Sequence, residues 1–313
     1  MRGTLLYVGQ RLILIAITTV LVSSVVFVLL HQIPGNAFLN ETRTTPQALA
    51  ADLHHYGLDL PLQQQYSNWV NGVVHGDLGE SLVNRGIKIT PLLIRETTVS
   101  ATVGFFALLV TIGLGLILGV VAALRQNTWV DYLASSASVI GYSIPSFVIA
   151  IFGLLLFGHY LYIWTQGTVF YSPGWGKPEQ IPVPALALGL PYASYVARLT
   201  RASMLETIRT DYVRTAWAKG LKARVVVFRH ALRNALIPVV TILGPLVTGI
   251  ITGSVVIENI FGIPGLGKEF VTSILARDYN IVIGVFTFYA ALVGLANLTV
   301  DVIYPVLDPR IRY

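Results

Sequence analysis

Six long runs of apolar residues dominate this chain, and runs of that length admit few structures. The first, Leu12 to Leu30, holds 19 residues without a charge. As a helix rising roughly 1.5 Å per residue it reaches about 28 Å, close to the thickness of a bilayer's hydrocarbon core. Five more follow, at about Thr97–Leu124, Tyr132–Ile163, Ile181–Ala197, Ala235–Ile257 and Ile281–Val300. Within lipid every backbone N–H and C=O must find its partner in the protein, so such runs fold as helices. Only 12% of residues are charged and the mean hydropathy is +0.70, whereas a soluble domain carries about a quarter charged residues. The expected fold class is therefore all-α, an integral membrane protein with six transmembrane helices. A secretory signal peptide has a shorter apolar core and a small-residue cleavage site, so the first run reads as a retained span. The fourth run is the weakest, with Pro182, Pro184 and Pro191 inside it. Membrane helices tolerate proline where neighbours satisfy the freed carbonyls.

Charge orients the spans. With both termini on the cytoplasmic side, the inner segments hold 14 Lys and Arg against four acidic residues, Asp131, Glu206, Asp211 and Asp308. The outer segments then hold seven basic and ten acidic residues. This asymmetry follows the rule that positive loops stay inside, and the opposite topology violates it. The net charge of +6 is thus a membrane-orientation signal, and no nucleic-acid partner is expected.

The segments divide as follows. Residues 1–30 form the cytoplasmic N-terminus and first span. Residues 31–96 form a small extracytoplasmic domain between the first and second spans, with helix-like stretches at Pro46–His55 and Leu62–Val74 and Gly-rich turns such as His75-Gly-Asp-Leu-Gly79. Residues 97–313 form a five-helix core whose cytoplasmic loop is 198–234. The outer loop Tyr160–Gln180 carries Tyr160, Tyr162, Trp164, Tyr171 and Trp175, aromatics suited to anchoring at the membrane interface.

The cytoplasmic loop is the segment richest in functional signal. Between Leu205 and Leu221, apolar or small residues recur at Leu205, Ile208, Tyr212, Ala216 and Gly220, a helical stripe. Arg209, Arg214, Lys219 and Lys222 lie mainly off it, and Asp211 can pair with Arg214 three positions on. Ala216 and Gly220 leave a shallow spot where another surface can approach. Two readings of this helix stand side by side: a docking element for a cytoplasmic partner, and a basic amphipathic helix lying on anionic lipid.

The segment Asp211-Tyr-Val-Arg-Thr-Ala-Trp-Ala-Lys-Gly220, continued by His230-Ala-Leu-Arg-Asn-Ala-Leu-Ile-Pro238, resembles the permease-subunit motif of ABC importers of the dipeptide/oligopeptide/nickel branch. The general motif is Glu-Ala-Ala, three residues, then Gly; here Arg214, Thr215, Ala216 and Gly220 stand at those positions, without the leading Glu, a departure common in the peptide branch. The likeness covers nearly the whole chain. His31-Gln-Ile-Pro-Gly35, Tyr56-Gly-Leu-Asp-Leu-Pro-Leu-Gln-Gln-Gln-Tyr66, Gly76-Asp-Leu-Gly-Glu-Ser81, Ser143-Ile-Pro-Ser-Phe147, Glu258-Asn-Ile-Phe-Gly-Ile-Pro-Gly-Leu-Gly267, Ala276-Arg-Asp-Tyr279 and Leu307-Asp-Pro-Arg-Ile-Arg312 resemble the B-type permease in order and spacing. Asn36 stands where these proteins usually have Asp.

The resemblance implies the type I importer permease fold and a translocation path for di- or oligopeptides in a prokaryotic inner membrane. It makes Asp211, Tyr212, Arg214, Thr215, Ala216, Ala218, Lys219 and Gly220 a coupling helix that docks on an ATPase. It implies a heterodimer with a homologous permease, two ATPase subunits or domains that bind ATP and Mg, and an extracytoplasmic substrate-binding protein, besides membrane lipid. The turn Phe261, Gly262, Pro264, Gly265 and Gly267 would face the binding protein or the pore mouth, and the pore itself would be wide, polar and uncharged. The chain would hold no cofactor and would not be an enzyme. Import of nickel, glutathione or oligosaccharides is the alternative within the family, and a secondary carrier the alternative outside it.

Other patterns carry less. Gly262-Ile-Pro-Gly-Leu-Gly267-Lys268 fits a phosphate-binding loop until Glu269 replaces the Ser or Thr that would hold Mg²⁺. Asp301 is the only carboxylate read as near a membrane interior, in a capping or pairing role. The missing mid-span charges argue against a proton- or sodium-coupled carrier. Gly115–Gly119 and Gly249–Gly253 are spaced for close helix packing. His54 and His55 lack further ligands at metal spacing, there are no cysteines, and no nucleophile–base pair is evident.

Overall fold

The computed structural model describes residues 2–33, 46–168, 171–251 and 253–307. Asn36 and the tail 308–312 lie outside them. Among the described residues the chain is helical apart from turns and one isolated antiparallel bridge, Glu80 to Lys88. In order the helices are α1 (Arg2–Gln32), α2 (Pro46–His55), α3 (Leu62–Val74), α4 (Ile89–Leu124), α5 (Trp129–Ser143), α6 (Ser146–Gly153), α7 (Leu161–Trp164), α8 (Pro182–Ile208), α9 (Asp211–Ala218), α10 (Ala223–Val225), α11 (Leu232–Ile251), α12 (Val255–Phe261), α13 (Leu266–Ala276) and α14 (Tyr279–Leu307). Wider π-type turns at Leu154–Tyr160 and Val226–Ala231 join α6 to α7 and α10 to α11.

Five segments are long and apolar enough to cross a membrane: Leu6–Gln32, Ile89–Leu124, Ser146–Trp164, Ala223–Ile250 and Tyr279–Val302. The chain is thus an all-α integral membrane protein. The expected third span, Tyr132–Ile163, is not one helix. It breaks at Ile144, whose φ of −83° and ψ of 123° are extended, because the ring of Pro145 clashes with a helical residue before it. The expected fourth span is a single helix, α8, but it is not among the five. It is the innermost helix of its unit, with 14 of its 27 residues buried, so protein rather than lipid surrounds it. Its first residues accept Pro182 and Pro184 because the first-turn N–H groups have no helical partner.

Two compact units emerge, Met1–Val99 with Pro264–Leu298, and Ser100–Ile263 with the chain from Thr299. In the first unit, the segment 31–96 does not stand alone. Leu78, Ile89 and Leu93 share a core with Leu266, Ile281 and Val285, and Leu82 packs among Leu49, Leu53, Tyr56, Leu58 and Tyr279. Helices α2 and α3 occupy the two stretches read as helical from sequence. Asp278, just ahead of α14, is 1% exposed. Its carboxylate accepts from the Ser81 hydroxyl and from the backbone N–H groups of Leu82, Val83 and Ile281.

In the second unit α8 packs on α5, α6 and α11. It also packs on the second half of α4 through glycines. A Cβ on Gly115 would lie 2.7 Å from Val196 Cβ, and one on Gly119 would lie 2.5 Å from Thr200 Cβ. From the α8 side, a Cβ on Gly189 would lie 2.6 Å from the Ala107 carbonyl. The Gly115–Gly119 pair is therefore a point of close helix approach. Gly249–Gly253 is not: α11 ends at Ile251, and Gly253 sits in a turn with φ +90°.

Candidate functional site

The stripe expected from Leu205 to Leu221 is divided between two helices. α8 stops at Ile208, and Thr210 is extended at φ −72° and ψ 152°. Its carbonyl accepts from the Val213 and Arg214 N–H groups, at 3.2 and 3.1 Å, and so starts α9. α9 ends as a Schellman motif: Leu221 N–H donates to the Ala216 carbonyl at 3.4 Å and Gly220 N–H to Trp217 at 2.9 Å. Gly220 has φ +73°, and a Cβ there would meet nothing within 4 Å. The glycine at the end of the motif is thus required by backbone conformation and not by close contact.

The break changes which face points inward. Val213 and Ala216, 0% and 5% exposed, pack with Ala123, Met204, Val226, Ala231 and Ala235. Leu205 and Ile208 join this cluster from α8. Tyr212 lies at its edge, donating to the His230 carbonyl at 3.3 Å and accepting from Asn234 Nδ2 at 2.7 Å. Ala216 is therefore not part of an open shallow spot; it is a core residue that lets α9 lie flat on its neighbours. Of the two small residues, only Gly220 is exposed.

The outward face carries Arg214, Thr215, Trp217, Ala218 and Lys219. Asp211 and Arg214 approach to 3.7 Å as an exposed ion pair. Trp217 is 47% exposed, and Phe228, on the wide turn that follows α10, is 57% exposed. Sequence reading did not single out these two aromatics; a large ring within a basic, otherwise polar loop was the available signal.

Sequence reading also missed the ion pair that braces this region. Asp131 at the start of α5 and Arg201 on α8 lie beyond the apolar runs of their helices. Arg201 Nε reaches Asp131 Oδ1 at 2.6 Å, and its terminal nitrogen reaches Oδ2 at 2.8 Å. Asn127 N–H adds a bond at 3.0 Å and the Ser135 hydroxyl one at 3.2 Å. The Arg201 hydrogen bonds hold the Asp131 carboxyl down to about 2, against the desolvation that would raise it. Two charges 70 positions apart in sequence give no local sign of pairing.

The turn after α12 is mostly interior. Phe261, Gly265 and Gly267 are buried, and only Gly262 and Pro264 are exposed. Phe261 and Gly262 belong to one compact unit and Pro264, Gly265 and Gly267 to the other. Gly262, at φ +67°, stops α12, and Ile263 N–H closes back on the Glu258 carbonyl at 2.8 Å. The Glu258 side chain is 2% exposed and accepts from the Ser100 hydroxyl at 2.7 Å. Glu96, on α4, is 4% exposed. Asp301 is therefore not the only carboxylate taken from water. The phosphate-loop resemblance has no structural support: the segment follows helix α12 rather than a strand. Among the described residues no three His, Cys, Asp or Glu side chains gather as a metal site.

Comparison with known proteins places this architecture. Residues 115–313 match the family model of the binding-protein-dependent transport system inner membrane component, and residues 4–86 match its N-terminal companion. The chain belongs to this family. It is 41% identical over 307 residues to the dipeptide transport system permease protein DppB of Bacillus subtilis, covering 98% of this chain and 97% of that one. Against the oligopeptide transport system permease protein OppB of Salmonella typhimurium it is 39% identical, over 95% of both chains. Against DppB of Lactococcus lactis it is 37% identical, over 98% of this chain and 99% of that one. Among solved structures, two crystal forms of the inward-facing MetNI methionine ABC transporter superpose with TM-scores of 0.52 and 0.53 at 19% identity. They cover 69% and 70% of this chain and 96% and 98% of theirs, and they establish a shared fold. This member of the family is thus a multi-pass inner membrane permease with the fold of an ABC importer's membrane subunit.

Proposed function

We propose that this chain is the B-type permease subunit of an ATP-driven importer and forms the translocation path for di- or oligopeptides. The observation that carries the reading is identity of 36–41% along nearly the full chain to permeases named for dipeptide or oligopeptide transport. Six spans with both termini in the cytoplasm are supported by the excess of basic residues on the inner segments. In that topology 31–96 and the turn at Gly262 face outward, toward an extracytoplasmic binding protein.

α9 is the element that couples. Its buried side, Val213 and Ala216, ties it to α8 and α11, so a push on its exposed side moves those helices together. Asp211, Tyr212, Arg214, Thr215, Ala218, Lys219 and Gly220 border that exposed side, and Trp217 stands at its centre. ATP and Mg bind partner ATPases, and closure of the ATPases biases a rigid-body change between two permease states. A homologous second permease completes the path.

The test is isolation of the chain from its native membrane in mild detergent, with mass spectrometry of what accompanies it, followed by uptake assays in liposomes. Recovery of a second permease with P-loop ATPases, and ATP-dependent peptide uptake, is the expected result. A chain that purifies alone and moves solute without ATP would overturn the proposal.

A further inference from the structure

α8 is closed in along most of its length. From Val183 to Arg201 the only exposed residue is Arg198. Its guanidinium carbon lies 4.5 Å from the centre of the Tyr142 ring on α5. Tyr142 in turn stacks on Tyr195, one turn earlier on α8, with ring centres 5.9 Å apart and planes 29° from parallel. Arg198 makes no ion pair with any described residue. The arginine one turn on, Arg201, is committed to Asp131. The two guanidinium groups thus have opposite assignments: one is closed by a carboxylate, and the other is held against an aromatic face with its N–H edges open.

Arg198 directly follows Ala197, the end of α8's apolar run, and so stands at the cytoplasmic end of the span, where a charge turns toward water or the protein interior rather than hydrocarbon. Pro191, Tyr195, Arg198 and Ala202 fall on one face at helical spacing and are its partly or fully open positions. Stacking on tyrosine fixes the plane of the guanidinium without consuming its hydrogen-bond donors. A guanidinium so presented pairs with a carboxylate through two parallel hydrogen bonds.

We propose that Arg198, positioned by Tyr142 and Tyr195, lines the cytoplasmic mouth of the translocation path and receives the C-terminal carboxylate of the passing peptide. The inference rests on the peptide-importer reading above and revises the expectation of an uncharged pore. A terminal carboxylate is common to all unmodified peptides, so a cation that engages it attracts the cargo without selecting its side chains. Because Arg198 is open to solvent the contact is loose enough to release, as conduction through a path requires.

The experiment uses the complete importer in liposomes with its binding protein. Two peptides of one sequence are chosen that the binding protein retains equally, one ending in a carboxylate and one in an amide. Arg198→Gln is expected to slow ATP-driven uptake of the carboxylate peptide about tenfold, the scale of a lost charge-assisted hydrogen bond, and to leave the amide peptide within about twofold. Arg198→Lys, which keeps the charge but not the fork, is expected to fall between. Equal loss of both peptides would assign Arg198 a structural or lipid-phosphate role and overturn the proposal, as would no loss of either. The parent chain's lack of cysteine gives a reading with Arg198 intact: Ser143→Cys, next to Tyr142, is labelled with a membrane-impermeant thiol reagent during turnover. Stronger protection by the carboxylate peptide than by the amide supports the proposal, and equal protection opposes it. If the unaltered importer moves neither peptide with ATP, the peptide-importer reading itself has failed, an outcome distinct from all of these.

Discussion

Arg201 grips Asp131 at two points, Nε to Oδ1 at 2.6 Å and the second nitrogen to Oδ2 at 2.8 Å, and so pins the start of α5 to α8. The Asp131 side chain is 3% exposed and that of Arg201 30%. Removing one partner of a buried pair strands the other charge, at about 3–5 kcal/mol when burial is complete. Arg201 is partly solvated, so Asp131→Asn is expected to cost about 2 kcal/mol, read as a lower midpoint in thermal unfolding in detergent. Arg201→Ala should do the same, and the double variant should lose less than the sum.

The same pair sets a pH dependence. The folded-state pKa of Asp131 is lowered to about 2. Its stabilisation is therefore complete above the unfolded carboxyl range near about 4 and is lost as pH falls through the folded value. From pH 8 to pH 5 the pair should contribute a constant amount. Below about pH 4 the stability gap between the parent chain and Asp131→Asn should narrow, which parallel melting curves at stepped pH would measure.

Gly220 is needed for its left-handed backbone. Gly220→Ala is expected to destabilise α9 by about 1 kcal/mol, and Gly220→Asn by less, since Asn visits that region more readily. Hydrogen exchange of the Gly220 and Leu221 amides would show the order. Equal effects of Ala and Asn would contradict the conformational account.

Ala216 and Trp217 are neighbours with opposite surroundings, one 5% and the other 47% exposed. Ala216→Trp is expected to destabilise the fold by about 3 kcal/mol through overpacking. Trp217→Ala should leave stability within about 0.5 kcal/mol while weakening retention of the partner ATPase in co-purification. A Trp217→Ala chain that keeps its ATPase fully would count against docking on this face.

Gly119 has no room for a side chain. A Cβ would stand 2.6 Å from the Ala197 carbonyl and 2.5 Å from Thr200 Cβ, so Gly119→Val should force α4 and α8 apart at about 2–3 kcal/mol. Gly113→Val, on the same helix with open space around it, should cost about 1 kcal/mol at most. Similar losses at both sites would point to helix propensity rather than packing.

The apolar runs alone determined that this chain spans a membrane as helices, because lipid leaves the backbone no other way to satisfy its hydrogen bonds. The order of short motifs determined its family, and local periodicity located α2 and α3. These depend on properties of contiguous residues. What tertiary structure decided depends on residues distant along the chain. Ala216 packs with Leu205 and Ile208 as its place on the stripe implies, but after the break at Thr210 it does so as a core residue beside Val213 and not as an open docking spot. Asp131 with Arg201, and Asp278 with Ser81, meet across separations of 70 and 197 residues, and nothing near either member announces the other. α8, too proline-rich to look like a good span, is a central helix because α4, α5, α6 and α11 shield it from lipid. Whether a residue faces protein, water or lipid is a property of its neighbours in space. That is why one arginine of α8 is closed by a carboxylate and the other is left open.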